Sequence, residues 1–430
     1  MGADVRSPGG KPSRPRVVPS QTAFWLLAVV LAVLLFASAA PAPLYVVYQA
    51  EWRFSATTLT AVFAIYALAL LVTLLFLGSL SDYLGRRPVI IAGLAIDAVA
   101  CALFLVAHGV DLLFAARALQ GVAVGLATGA LGAALIELQP ERGELGALVS
   151  STAPTTGLAV GALSASALAQ YAPAPTRLVW WLLLGAFVAA IIAVLAIPEP
   201  APGRPGVLAS LRPRVGVPRR ARATFAVGVP CLIAVWALGG LYLSLGPSLA
   251  AQLVGSQNRL WGGLVIVLLT GIGAAAGVLF RAANPPTAML TGCLALLVGA
   301  LVTFVAIVTT TLAVFLVGTA LAGVGFGLAF LGAFRTLVTL AAPAERSGLI
   351  AAIFIVSYLA FSVPAVIAGI ATSHFGLHDT ALVYSLVIAA LVGATAGSLL
   401  LRTPVTSYGH EPHPSPADPA NQPCTVPAGR

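Results

Sequence analysis

Asp97 is the one charged residue in the apolar run 88–107, and Arg117, with Gln120 close by, is the one charged residue in the run 112–135. An acid midway along a membrane-length helix costs about 2.5–3.5 kcal/mol on insertion scales, so such residues face a partner or a cavity. Asp97 follows Pro88 by nine residues, which is roughly 14 Å of helix and close to the middle of a bilayer. Arg117 follows Asp111 by six residues, about 9 Å from the opposite surface, and its long side chain can reach the level of Asp97. Burial opposes the charge on the acid, and a nearby guanidinium favours it. A carboxyl held between those influences can take up and release a proton, which makes Asp97 a candidate proton carrier with Arg117 and Gln120 around it. The competing expectation is a static structural pair, or an acid beside a water-filled crevice that never titrates.

A second charged group lies in the stretch "GSLSDYLGRRP", residues 78–88, where Asp82, Arg86 and Arg87 separate two apolar runs. Without any family in view, these residues read as a helix cap and as basic anchors at a membrane surface. Elsewhere the polar groups available within apolar runs are hydroxyls and aromatics. In 145–170, Pro154, Thr155, Thr156 and Gly157 predict a bend or a close helix contact, with the hydroxyls satisfying freed carbonyls. The second half has no acid inside an apolar run and offers mainly Trp236, Tyr242 and Tyr358, with Ser244, Gln252, Ser357 and Tyr384. A site built from these suits an amphiphilic or aromatic solute better than a sugar or an organic anion. Tyr45 and Tyr48, beside Pro41, Pro43 and Gln49, read as interfacial anchors.

The elements that must carry these residues follow from composition. Hydrophobic residues make up 60% of the chain, charged residues 8%, and the mean hydropathy is +1.02, far from a soluble domain with about a quarter charged residues. The 43 glycines suit helices that approach one another in lipid through small residues. Runs long enough to cross a bilayer fall at 22–46, 57–80, 88–107, 112–135, 145–170, 178–197, 224–249, 260–280, 287–308, 311–335, 347–371 and 380–401. The fold class expected is therefore an all-α integral membrane protein with twelve transmembrane helices. The charge-free stretch Ala288 to Phe334 is divided at Thr309-Thr310-Thr311, because one helix of that length would overshoot any bilayer.

With the N-terminus inside, one set of loops holds only Arg53, Arg177 and Arg259, and most other basic residues fall on the opposite side. Both termini are then expected to be cytoplasmic, in a multi-pass protein of the plasma membrane. Topology accounts for the net charge of +9, so nucleic acid is not an expected partner. The basic start, the run Ala23 to Phe36 and "ASAAPAP" could suggest a cleaved secretory signal, but the apolar run continues past the usual signal core. The organisation expected is a basic N-terminal segment (1–21), a first six-helix bundle (22–197), a Pro, Gly and Arg-rich linker (198–223), a second bundle (224–401) and a disordered tail (402–430). "LQGVAVGLA" (119–127) and "LAGVGFGLA" (321–329) match at a constant offset of 202 residues. Each is followed by a loop with Pro and Glu-Arg, "QPERGELG" and "APAERSGL". The halves thus read as repeats, two pseudo-symmetric bundles.

Gly78, Asp82, Gly85, Arg86 and Arg87 in "GSLSDYLGRRP" resemble the loop signature of the major facilitator superfamily, and "RALQG" (117–121) is similar to its second motif. "RAANPPT" (281–287), at the equivalent loop of the second half, lacks the acid and the arginine pair. "APTTGLAVG" (153–161) is only loosely similar to the Gly-Pro motif of the superfamily's drug/proton antiporters. The resemblance implies a two-bundle transporter fold in which Asp82 sits against the N-terminus of span eleven in one access state. It also implies that Arg86 and Arg87 pair with acids such as Glu141 or Glu144, and it places Arg117 at a proton-linked or substrate-facing centre. No P-loop occurs, which argues against direct ATP drive. The four cysteines stand singly, and His374, His378 and Asp379 alone make a poor metal site. No enzymatic activity, cofactor or metal is expected, and the chain is expected to be a monomer. The function these expectations favour is proton-coupled efflux of small amphiphilic compounds. An uptake carrier for a polar metabolite and a non-transporting sensor or scaffold are the alternatives.

Overall fold

The computed structural model describes residues 18–140, 145–201, 203–207, 211–213, 215–256, 258–342 and 345–402. The long helices are α1 (Ser20–Trp52), α2 (Ala56–Leu77), α3 (Arg86–Val106), α4 (Val110–Leu138), α5 (Leu145–Tyr171) and α6 (Leu178–Leu195). They are followed by α7 (Arg222–Ser244), α8 (Leu260–Leu279), α9 (Pro285–Val308), α10 (Leu312–Thr339), α11 (Arg346–Phe375) and α12 (Leu377–Arg402). Eleven of these are long and apolar enough to cross a membrane. The twelfth, α5, is less apolar because its first half carries a run of hydroxyls. Those hydroxyls donate back to carbonyls of their own helix: Ser150 to Gly146 (2.7 Å), Thr152 to Leu148 (2.8 Å) and Thr155 to Thr152 (3.1 Å). Back-bonding of this kind lets a polar helix sit in lipid. The division of the charge-free stretch holds: α9 ends at Val308, Thr310 takes φ 47°, and α10 begins at Leu312.

Helices α1–α6 pack mainly on one another, as do α7–α12, and the two sets meet along two seams, α2 against α11 and α5 against α8. The repeat seen in the sequence recurs in the packing. A Cβ on Gly121 of α4 would lie 2.3 Å from the carbonyl oxygen of Tyr66 on α2, and one on Gly323 of α10 would lie 2.5 Å from that of Leu268 on α8. Both pairs are related by the 202-residue offset. Backbone-to-backbone approach of this kind is how helices associate in lipid. Gly292 of α9 faces the backbone nitrogen of Ala329 in the same way, a Cβ falling 2.2 Å from it, whereas Gly185 of α6 has nothing within 4 Å. Gly292→Ala is therefore expected to cost ~3 kcal/mol or more through overpacking. Gly185→Ala should leave the melting temperature of the purified protein unchanged; thermal unfolding in detergent compares the two.

Each seam is tied at the end of the bundle away from the linker. Thr57 Oγ1 and Ser373 Oγ are 2.9 Å apart across α2 and α11, and Gly369 is pressed on Thr60. The backbone N–H of Arg259, just before α8, donates to Gln170 Oε1 of α5 (3.0 Å), and the Arg259 guanidinium donates to the Ala169 carbonyl. At the linker end, Gly216 N–H donates to Gly348 O (3.2 Å) and Arg220 pairs with Glu345 (2.8 Å), both at the start of α11. Residues 1–17 and 403–430 lie outside the described residues, so the basic segment and the tail are described only in part or not at all.

Candidate functional site

The centre of the first six helices begins with a break in α1. Pro41 and Pro43 interrupt it, and α1 continues as Pro41–Trp52 after a turn at Ala40. A proline lacks the N–H that would bond the carbonyl four residues earlier, so Pro41 leaves Ala37 O without its helical donor. Gln120 of α4 supplies one: its Nε2 donates to Ala37 O at 2.9 Å. One turn earlier on α4, Arg117 Nη1 donates to Ser38 O (3.2 Å) and to Gln120 Oε1 (2.5 Å). The guanidinium also lies over the face of Tyr66 from α2, its Cζ 4.0 Å from the ring centroid. Arg117 is 2% exposed and Gln120 fully buried.

Asp97 reaches this group from α3. Gly93, one turn before it, is packed on Ala123 and Ala127 of α4, so the antiparallel helices bring Asp97 to the level of Gln120 and Arg117, its electrostatic neighbours. The carboxyl is fully buried, and neither oxygen has a hydrogen-bond partner. Among the described residues no ion pair joins Asp97 to Arg117, contrary to the expected pairing. The reason is local: Ser38 O at the α1 break, Gln120 Oε1 and the Tyr66 ring already hold the guanidinium. An unpaired carboxylate in a dry site is costly. The site accommodates the group with a proton bound, or with the Arg117 charge moved against it.

Tyr45 and Tyr48 also depart from expectation. They are not interfacial anchors: they are 1% and 2% exposed. Tyr45 stands beside Arg117. Tyr48 donates to Thr176 O (3.4 Å) and accepts from Trp180 Nε1 (3.0 Å), closing the far end of the first bundle.

Across the α2–α11 seam the second set of helices presents aromatics. Trp236 of α7 is ringed by Phe326 and Phe330 of α10 (6.4 and 5.4 Å between centroids) and by Tyr358 and Phe361 of α11 (5.4 and 5.6 Å). Phe361 in turn packs on Phe63 of α2 at 4.8 Å, one turn of that helix from Tyr66. The Trp236 Nε1 donor has no partner. The five rings and the unpaired indole N–H stand at the seam, one turn of α2 from Tyr66.

Of the other candidates, Tyr242 lies apart from this cage. It bonds Thr303 and Thr319 (3.2 Å each) and stacks on Phe315. Thr319 stands 202 residues after Arg117, so a neutral hydroxyl occupies the second half's counterpart of the arginine. Thr155 shares the α5 face of Ala159, Ala162 and Ser166, which looks toward α8, whereas exposed Thr156 shares a face with exposed Val160 and Leu163. Pro154 precedes a close contact as expected, since Gly157 abuts Ala32 O of α1. The cysteines are less solitary than their spacing suggests: Cys231 and Cys293 lie 3.5 Å apart, Sγ to Sγ.

The charged loop is built on Arg86, which pairs with Asp82 and, through Nη2, with Glu137 at 3.0 Å, and donates to Ser81 Oγ at 2.7 Å. Glu199, at the end of α6, accepts from the backbone N–H of Arg86 (2.7 Å) and of Arg87 (3.1 Å), while the Arg87 guanidinium donates to Leu195 O. Gly85 takes φ +95°, and a Cβ there would meet the Glu199 carboxyl at 3.0 Å. Gly78, at the C-terminus of α2, is pressed on its own helix at Leu74 O. Glu141 and Glu144 lie outside the described residues, so the expected pairing with them is untested, and Glu137 and Glu199 are the acids found instead. Asp82 is half exposed and paired with Arg86 in this conformation rather than placed against α11.

Sequence signals existed for part of what was missed. Counting four residues back from Pro41 points to Ala37 O, and the i, i+4 pair Phe326/Phe330 is visible, but neither says which helix approaches.

Known proteins resemble the chain at three levels. A multidrug transporter MdfA of Yersinia pestis (strain Angola) is 37% identical over 113 residues, 26% of this chain and 27% of that protein. The chain thus matches about a quarter of that relative's length. The human organic anion transporter MFSD10 (TETRAN) superposes with a TM-score of 0.62 at 16% identity, over 88% of this chain and 100% of that one. A point mutant of the nucleoside transporter NupG gives 0.65 at 12% identity, over 87% and 99%. These structural likenesses speak for the fold. Residues 25–365 match the sequence profile of the Major Facilitator Superfamily, and with the twelve-helix architecture this shows that the chain belongs to that family.

Proposed function

We propose that the chain is a secondary active transporter that works by alternating access and exchanges protons for small amphiphilic aromatic compounds, moving them out of the cell. The observation that carries this reading is the fully buried, unpartnered Asp97 carboxyl, set beside Arg117 and one seam away from the Trp236 cage. A proton and an aromatic solute then have separate but adjoining places. The arginine-rich loops lie at the linker end, which supports a cytoplasmic linker. The tied far-end seams correspond on that assignment to an inward-facing state, and release of Asp82 from α11 accords with it. The partial likeness to a multidrug transporter supports efflux of drug-like compounds over uptake of a sugar.

Inverted membrane vesicles holding an acid-inside gradient, read with a pH-sensitive dye, test the proposal. Aromatic lipophilic compounds should discharge the gradient, whereas sugars and amino acids should not. Trp236→Ala should raise the half-maximal concentration about 30-fold, the loss of a roughly 2 kcal/mol aromatic anchor. Discharge by sugars or amino acids, or by none of the panel, contradicts it.

A further inference from the structure

Arg117 is the cation within electrostatic reach of Asp97, yet its guanidinium is engaged by Ser38 O, Gln120 Oε1 and the Tyr66 ring. Both of those acceptors take Nη1, Nε has no hydrogen-bond partner, and the Tyr66 ring lies 4.0 Å from Cζ. We propose that Tyr66 is a positioning residue whose ring holds the Arg117 guanidinium off Asp97, leaving that carboxyl free to exchange a proton. The ring is well placed for this. Tyr66 is 6% exposed, and its own carbonyl is pressed against Gly121, one turn beyond Arg117 on α4, which fixes α2 at the height of the guanidinium. Phe63, one turn away on the same face of α2, packs on Phe361 of the cage. A shift of α2 against α11 therefore moves the clamp on Arg117 and the wall of the cage together.

The groups facing Asp97 are few. Arg117 and Gln120 come from α4, Tyr66 from α2, and Cys101 lies one turn along α3, while Tyr45 of α1 neighbours Arg117 and Tyr66. Without the ring, Arg117 has one holding surface fewer, and the unpaired carboxyl is the competing partner.

The role of this clamp in transport rests on the proposed function, but its test does not. In the full-length protein in lipid, the carboxylic C=O stretch of Asp97 is identified by infrared difference against Asp97→Asn and followed with pH. Tyr66→Phe keeps the ring and should leave the midpoint where it is. Tyr66→Met removes the ring, lets Arg117 pair with the carboxylate, and should move the midpoint to lower pH by about one unit or more. Phenylalanine with a progressively fluorinated ring at position 66 weakens the cation–ring attraction at nearly constant shape, and the midpoint should fall stepwise with fluorination. That series keeps the test decisive where Tyr66→Met does not fold. An unshifted midpoint in Tyr66→Met or across the fluorinated series overturns the proposal, as does Tyr66→Phe behaving like Tyr66→Met, or the absence of any titrating Asp97 band. Failure of the vesicle assay with these spectra intact would overturn the transport reading alone.

Discussion

Arg117→Ala is expected to abolish solute-driven proton movement and to lower the unfolding free energy by about 2–4 kcal/mol, the cost of leaving two buried acceptors unsatisfied. The side chain is 2% exposed and donates to Ser38 O and Gln120 Oε1, so its removal strands two buried acceptors and leaves Asp97 without a neighbouring cation. Arg117→Lys should not restore function. A lysine carries the charge but lacks the planar group that lies flat on Tyr66 while bonding two acceptors. Thermal unfolding and vesicle flux on the same preparations check both statements. A stable, active Arg117→Ala protein would mean that the network is incidental.

Asp97→Asn has the second large effect, and it separates from the first by sparing the fold. Neither carboxyl oxygen makes a hydrogen bond, so the amide forfeits none, and a buried ionisable group is replaced by a neutral one of the same shape. The melting temperature should hold or rise. Proton-coupled flux should fall by about 100-fold, equivalent to ~2.7 kcal/mol in the barrier of the coupled cycle. Exchange of labelled for unlabelled solute, which needs no net proton movement, should persist. Loss of both flux and exchange would assign Asp97 to solute binding instead.

The parts of this molecule that could be read in advance are those set by chain length and polarity. Run lengths place the helices because lipid leaves the backbone no other partners. The duplicated glycine pattern locates two of the close helix contacts, Gly121 on Tyr66 and Gly323 on Leu268. Depth along a helix is linear in residue number, so Asp97, Arg117 and Gln120 could be expected at one level. Their bonding could not, because it depends on the Ala37 and Ser38 carbonyls at the α1 break and on which helix reaches them. Tyr45 and Tyr48 show the same limit: near a helix end, an interfacial ring and a ring packed under a neighbouring helix have the same spacing. The Trp236 cage draws on α7, α10 and α11, and in a charge-free run a phenylalanine facing lipid and one facing a partner read alike.

If solute and proton compete through Asp97, solute binding must expel the proton that the carboxyl holds. The decisive quantity is the number of protons released when solute binds the purified protein in weakly buffered solution, measured for the intact chain and for Asp97→Asn. Release of about one proton per solute is expected from the intact protein, with solute affinity rising as pH rises by reciprocal linkage, and no release from the variant. Equal release from both proteins, or solute binding with no release from the intact one, would contradict competition at Asp97.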